Sequence, residues 1–267
     1  MRVGVVGAGG KMGIEVCRAV SAHDDLDLVA AVDPARSGWE LDELCGTGSP
    51  GVTVSADLGV LTEAAVEVVV DFTRLEAART TLAFCADAGI HAVVGTTGFT
   101  EEDRAELVRR FVGPPNCVVA PNFAIGAVLM MRFSELAAPW FDGAEIIELH
   151  HDGKLDAPSG TARATAERMA AARRAADAGD FPRDRTVTEA VEGARGGEGP
   201  ARVRLHSVRL PGLVAHQEVI LGSVGQSLTI RHDSYDRSSF MDGVILAVRS
   251  VPDRPGVTSG LEPLLGL

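Results

Sequence analysis

The chain has 267 residues, enough for one large α/β domain or two smaller ones, and its 46% hydrophobic and 23% charged residues are those of an ordinary globular protein. A formal net charge of −12 and a pI near 5.0 argue against a nucleic-acid or anionic-membrane surface, since both need a basic patch. Apolar runs are too short to span a bilayer, no leader pattern precedes the first strand, and Cys17, Cys45, Cys85 and Cys117 form no CxxC pair; a cytoplasmic protein with free buried thiols is expected.

The first 120 residues alternate short apolar runs with helical stretches, the pattern of an α/β protein with a parallel sheet covered by helices. Strands are predicted at Val3 to Val6, Leu28 to Val32, Val66 to Val70, Ile90 to Val94 and Cys117 to Ala120. Helices are predicted at Met12 to Ser21, Leu75 to Ala88 and Glu101 to Phe111, the last opened by a Thr100/Asp103 pair like a capping box. After Asn122 the rhythm changes to a helix (Ala124 to Leu136), a strand (Ala144 to His150) and an Ala/Arg-rich helix from about Thr161 to Ala176. Asp177 to Pro200, rich in Gly, Asp, Pro and Arg, reads as a long mobile loop. Strands follow at Val203 to Val208, Val214 to Leu221 and Ser227 to Arg231, the last two joined by a turn at Ser223 to Gln226, and Arg237 to Ser250 returns to helix.

Two motifs carry chemistry. In the first, a strand ends at Val6 and runs into Gly7-Ala8-Gly9-Gly10-Lys11-Met12-Gly13, where a helix begins. Glycines let the backbone turn sharply and approach a pyrophosphate, whose charge is met by free N–H groups at the helix start. Asp33 lies 20 residues past Gly13 at the end of the second strand, where a carboxylate binds adenosine ribose hydroxyls. Asp33 favours NAD, while Lys11 and Arg36 suit the 2′-phosphate of NADP, so NADH and NADPH both stay open. Asp71-Phe72-Thr73, Gly95-Thr96-Thr97-Gly98 and Ala120-Pro121-Asn122-Phe123 occupy further strand ends, where open parallel sheets bind ligands.

The second motif is His150-His151-Asp152-Gly153-Lys154-Leu155-Asp156-Ala157-Pro158-Ser159-Gly160-Thr161. The 25 basic residues include just two lysines, Lys11 and Lys154, and each falls in one of these motifs. An arginine is a fixed cation, whereas a lysine is a compact cation that can also give up a proton. A loop would bring Lys154 to the same site as His150. Ser159 is a good N-cap, so the amides of Gly160 and Thr161 would form an anion pocket suited to a carboxylate. If the strand continues, His150 and His151 project to opposite sides, which disfavours a zinc site with Asp152 and Asp156, and no metal is expected. Ser159 lacks the GxSxG elbow of a nucleophile. His206, Arg209, His216 and His232 stay outside the expected site.

Together with GTTGF at Gly95, APNFAIG at Ala120 and His206-Ser-Val-Arg209, these motifs resemble the 4-hydroxy-tetrahydrodipicolinate reductase (dihydrodipicolinate reductase) family over essentially the whole chain. The resemblance implies a Rossmann-type dinucleotide-binding domain, residues 1–122 completed by 233–267. It further implies an α+β substrate-binding and tetramerisation domain, residues 123–232, with a mixed sheet that builds a homotetramer. His150 would be the proton donor or acceptor and Lys154 the proton donor. His151, Ser159, Gly160 and Thr161 would hold the substrate. Gly7, Ala8, Gly9, Gly10, Lys11, Met12, Asp33, Gly95, Thr96, Thr97, Ala120, Pro121, Asn122 and Phe123 would line the cofactor. The implied reaction is NAD(P)H-dependent reduction of a small cyclic dicarboxylate with loss of water, on the route to diaminopimelate and lysine. One departure is Gly153, where the family often has a histidine. A non-catalytic nicotinamide sensor would need only the first motif, and a semialdehyde dehydrogenase would want a cysteine in a site motif.

Overall fold

The computed structural model describes residues 1–46 and 51–267. Its strands are β1 (Arg2–Val6), β2 (Asp27–Val32), β3 (Val68–Asp71), β4 (His91–Val94), β5 (Cys117–Val119), β6 (Gly143–His150), β7 (Gly197–Glu198), β8 (Arg204–Arg209), β9 (Ala215–Ser223), β10 (Gln226–Ser234) and β11 (Val257–Ser259). The helices are α1 (Lys11–Ser21), α2 (Leu41–Cys45), α3 (Gly59–Glu63), α4 (Leu75–Ala88), α5 (Glu101–Arg110), α6 (Ile125–Ala137), α7 (Gly160–Ala175) and α8 (Met241–Ser250). They form two compact units, Met1–Ile125 with Arg237–Leu267, and Gly126–Asp236.

The first unit is built on a six-stranded parallel sheet in the order β11, β5, β4, β3, β1, β2. Val3, Val5, Val68, Val69, Val70, Ala92, Val93 and Val94 are fully buried. That burial explains why these strands are continuous apolar runs in the sequence and not alternating ones. From β1 the chain crosses to β2 on one side and then returns to β3 on the other, which places a topological switch point at the carboxyl end of β1. Gly13, Val16, Cys17 and Val20 make up the buried face of α1. The capping box of α5 is present with both bonds, Asp103 N donating to Thr100 Oγ1 at 3.2 Å and Thr100 N to Asp103 Oδ2 at 2.8 Å.

Several features depart from the expected elements, among them β7, a strand inside the segment expected to be a loop. The third strand begins at Val68; Val66 instead closes the turn after α3, its amide donating to Leu61 O at 2.9 Å. The short helices α2 and α3 fill the β2–β3 crossover. Near the end of the chain, β11 pairs with β5 and extends the sheet by one strand.

In the second unit a five-stranded mixed sheet has the order β10, β9, β6, β8, β7. There β6 runs parallel to β8 and antiparallel to β9. Met130 and Met131 of α6, Ala162, Ala166 and Met169 of α7, and Ile146, Val219 and Leu221 of the sheet form one core cluster with Phe181. The Arg173 guanidinium is buried under this layer, donates to the carbonyls of Ala138, Phe141, Ala178 and Gly179, and stacks on the Phe181 ring at 3.9 Å. Between α7 and β7 the chain has no regular element, yet Arg195 ties it to the sheet by donating to Glu145 at 2.6 Å and to Asp184 at 3.0 Å. No helix among the described residues is long and apolar enough to cross a membrane.

Candidate active site

In the first unit, Gly7 follows β1 with φ +79°, and its amide and that of Ala8 both donate to Val32 O, pinning the loop to the end of β2. A Cβ on Gly13 would lie 2.0 Å from Gly7 O, so only glycine lets α1 start so close under the turn. Gly10 is the N-cap of α1, with no side-chain cap and no acidic residue in the first turn. The amides that open α1 therefore meet no side-chain cap and no acidic residue of the helix's own first turn, a condition for binding a diphosphate. Asp33 stands beside them: Oδ2 accepts from Gly9 N at 2.9 Å and Oδ1 from Ala35 N at 3.0 Å. The Arg36 side chain lies over Gly9, where an added Cβ would come within 2.4 Å of Arg36 Cγ, and its guanidinium sits 5.1 Å from the Trp39 ring centre. Lys11 is exposed at the first position of α1. The cradle, the open amides and the ribose-type carboxylate fit a dinucleotide.

The other strand-end loops of this unit join one another. Thr96 Oγ1 donates to Asp71 Oδ1 at 3.3 Å and to Thr73 O at 3.1 Å, linking the ends of β3 and β4. Gly95 gives room to the Phe72 ring, since a Cβ there would come within 2.0 Å of it, and Phe72 packs against Phe123 with ring centres 5.5 Å apart. Asn122 Oδ1 accepts from Ala124 N at 2.9 Å and shapes the turn after Ala120 and Pro121. Thr97 is exposed beside buried Thr96. Asp71, which opens the strand-end segment Asp71-Phe72-Thr73, is fully buried, and burial raises its carboxyl above the usual range against the hydrogen bonds from Thr73 and Thr96.

The second unit gathers the other expected residues around the end of β6. Ala144, Ile146 and Glu148 form the buried stripe of this strand and His150 continues it, as the period of two requires. Glu148 is fully buried, a carboxylate where an apolar residue belongs. Its partners explain how it is tolerated: Arg209 Nη2 donates to Oε1 at 2.7 Å, Arg209 Nη1 to Oε2 at 2.9 Å, His150 Nδ1 meets Oε2 at 2.5 Å, and Ser159 N donates to Oε1 at 3.3 Å. Burial pushes the Glu148 carboxyl up, but hydrogen bonds from Arg209, Ser207 and His150 outweigh it and hold the group below its ordinary range. His150 is lowered, first by burial and then by the charges of Lys154 and Arg209, with Glu148 pulling the other way.

Past His150 the strand ends, and His151 stands exposed in the loop with its carbonyl accepting from Lys154 N at 3.1 Å. The continued strand that would have sent the two histidines to opposite sides is absent. Gly153 lies close to His151, and a Cβ on it would be 3.3 Å from His151 Nδ1. Lys154 Nζ donates to Asp156 Oδ1 at 2.7 Å. Ser159 is the N-cap of α7, its Oγ accepting from Ala162 N at 3.1 Å. Gly160 and Thr161 open the helix and their amides have no intrahelical acceptor. His150, Lys154, Ser159, Gly160 and Thr161 thus share one strand end, one loop and one helix start.

Glu148 and Arg209 belong to this cluster and were not expected there. The signal for Glu148 is its place on a stripe whose earlier members, Ala144 and Ile146, are apolar. Arg209 is brought in by the parallel pairing of β8, which sets it beside His150. His206, by contrast, pairs with Glu145 at 2.7 Å, and His216 with Asp233 at 2.8 Å. All four cysteines are buried. Among the described residues, no three His, Cys, Asp or Glu are grouped so as to hold a metal ion.

Comparison with known proteins matches residues 1–123 to the family model described as dihydrodipicolinate reductase, N-terminus, and residues 126–265 to dihydrodipicolinate reductase, C-terminus. The 4-hydroxy-tetrahydrodipicolinate reductase of Nocardia farcinica is 51% identical over 270 residues, covering 100% of this chain and 99% of that one. Its counterpart in Mycobacterium marinum is 50% identical over 270 residues and 100% of both chains. Among solved structures, the dipicolinate-bound dihydrodipicolinate reductase of Paenisporosarcina sp. TG-14 superposes with a TM-score of 0.84 at 39% identity, covering 98% of each chain. The activity that goes with these matches is NAD(P)H-dependent reduction of 4-hydroxy-tetrahydrodipicolinate, a step of diaminopimelate and lysine biosynthesis. With both family models matched along nearly its whole length, the chain belongs to the dihydrodipicolinate reductase family.

Proposed function

We propose that the reduction is carried out by His150 and Lys154 in the second unit, with cofactor held by the first unit in the loops Gly7 to Met12, Gly95 to Thr97 and Ala120 to Phe123 and by Asp33. The observation that carries this reading is the convergence of His150, Lys154 and the Ser159-capped start of α7, a titratable ring, a cation and an open helix start within 12 residues of sequence. The Paenisporosarcina enzyme's dipicolinate is a planar dicarboxylate, and the same class of molecule suits this chain's pocket. One carboxylate is held by the amides of Gly160 and Thr161, with Ser159 and His151 beside them.

When bound, the reduced nicotinamide supplies a hydride to the unsaturated carbon of the substrate. Lys154 would leave Asp156 to stand near the ring nitrogen of the substrate, where its charge makes the substrate ring more electrophilic and its proton completes the reduction. His150 exchanges a proton as the hydroxyl departs as water. Arginine at position 154 would keep the charge and fail as a donor.

Both nucleotides are proposed as cofactors. Asp33 suits the ribose diol of NADH, while Arg36, lying over Gly9 and stacked on Trp39, and exposed Lys11 suit the 2′-phosphate of NADPH. A homotetramer built on the mixed sheet and a cytoplasmic location complete the proposal, on family grounds. Steady-state kinetics with freshly made substrate test the reading. Consumption of both NADH and NADPH, with kcat/KM values within about 100-fold, is expected; loss of all consumption by folded protein would favour the nicotinamide sensor, and a larger preference would end the dual assignment.

A further inference from the structure

We propose that Glu148 and Arg209 form a latch that positions both proton-transfer residues, Glu148 by fixing the ring of His150 and Arg209 by holding the loop that carries Lys154. The inference rests on the roles given above to His150 and Lys154. The latch is made by strand register. Parallel pairing sets Ser207 beside Glu148 and Arg209 beside His150, so the four side chains alternate onto one face of two neighbouring strands. Arg209 grips both carboxylate oxygens of Glu148 in a bidentate pair and, with the same Nη2, donates to Asp156 O at 2.8 Å in the Lys154 loop. A further bond, from Nη1 to Val208 O at 2.7 Å, fixes the guanidinium against its own strand.

The chemistry follows from which atoms are occupied. Glu148 is ionised, so it can only accept, and Nδ1 of His150 must carry the proton between them. Nε2 is then left as the nitrogen that exchanges protons, and no other hydrogen bond to the ring is formed among the described residues. Every charged group facing His150 belongs to the latch or its loop: Glu148 on β6, Arg209 on β8 and Lys154 past the strand end, with Ala215 on the β9 side. A buried ion pair is a costly way to fill a core, and removing one partner leaves the other charge stranded. Its position against the reacting histidine gives it a reason to persist.

The test compares wild type with Glu148→Gln and with the double variant Glu148→Gln/Arg209→Gln, which leaves a neutral hydrogen-bonded pair where the single change could strand the guanidinium and unfold the unit. Nitrogen-15 spectra of the histidine rings, with His150 assigned by its loss in His150→Gln, read the tautomer directly. We expect the Nδ1–H form in wild type and a mixture in the variants, a kcat lower by about 10- to 100-fold, and, in Glu148→Gln, a pH profile displaced to lower pH by about 1 unit, since the carboxylate no longer favours the imidazolium while the Arg209 charge still opposes it. A predominantly Nε2–H ring in the wild-type protein overturns the proposal without any variant, and so does an unchanged tautomer in the double variant. The two readings separate cleanly: full turnover by His150→Gln would dismiss the histidine as acid, while the spectra would still decide whether Glu148 fixes its ring.

Discussion

Thr96, just past the end of β4, donates its hydroxyl proton toward Asp71 at the end of β3, and this bond ties the two strand-end loops together. Asp71 also accepts from Thr73 N at 2.9 Å and Thr73 Oγ1 at 2.7 Å, while its buried Oδ2 has no hydrogen-bond partner. A carboxyl raised in the folded state binds protons more tightly there than in the unfolded chain, so it favours folding at low pH and this contribution is lost as pH rises through the raised value. Asp71→Asn keeps an acceptor for Thr73 and Thr96 and removes the buried charge. Its unfolding midpoint at neutral pH should equal or exceed that of wild type, and the difference should shrink as pH falls toward about 4, the ordinary carboxyl range. Urea unfolding across this pH span checks the sign.

Gly13 is the position where the cradle tolerates least. An added methyl would meet the Gly7 carbonyl at 2.0 Å, backbone against backbone, so α1 or the loop must move. Gly13→Ala should cost about 2 kcal/mol of stability and weaken NADH binding about 10-fold or more, read by denaturant melts and by fluorescence titration.

The parallel sheet of the first unit was legible because its strands are buried on both faces and its helices show one apolar stripe. The Thr100/Asp103 capping box could be read from residue types at fixed spacing, since both partners lie within one turn. What escaped was short or distant. Val257–Ser259 is a three-residue strand whose only support is β5, far back in the chain. α2 and α3 have five residues each, too few for a period to show. The glycine cradle and the helix cap at Ser159 are local devices and were visible. Glu148 and Arg209, 61 positions apart, become partners only through the pairing of β6 with β8.

Arg173 is a stability element of the second unit and stands apart from the expected site residues. Its guanidinium satisfies four carbonyls and lies on the Phe181 ring, and burial lowers its pKa. Arg173→Met keeps an unbranched apolar stem and leaves those carbonyls without their donor. A loss of about 3 kcal/mol is expected by urea unfolding. NADH binding should be unchanged in the variant while it remains folded.

Delivery of a proton by Lys154 is checked with Lys154→Met, assayed for turnover and for NADH binding on the same preparation. Turnover should fall by about 100-fold or more while the NADH dissociation constant stays within about 2-fold of wild type. Turnover at the wild-type rate would contradict it.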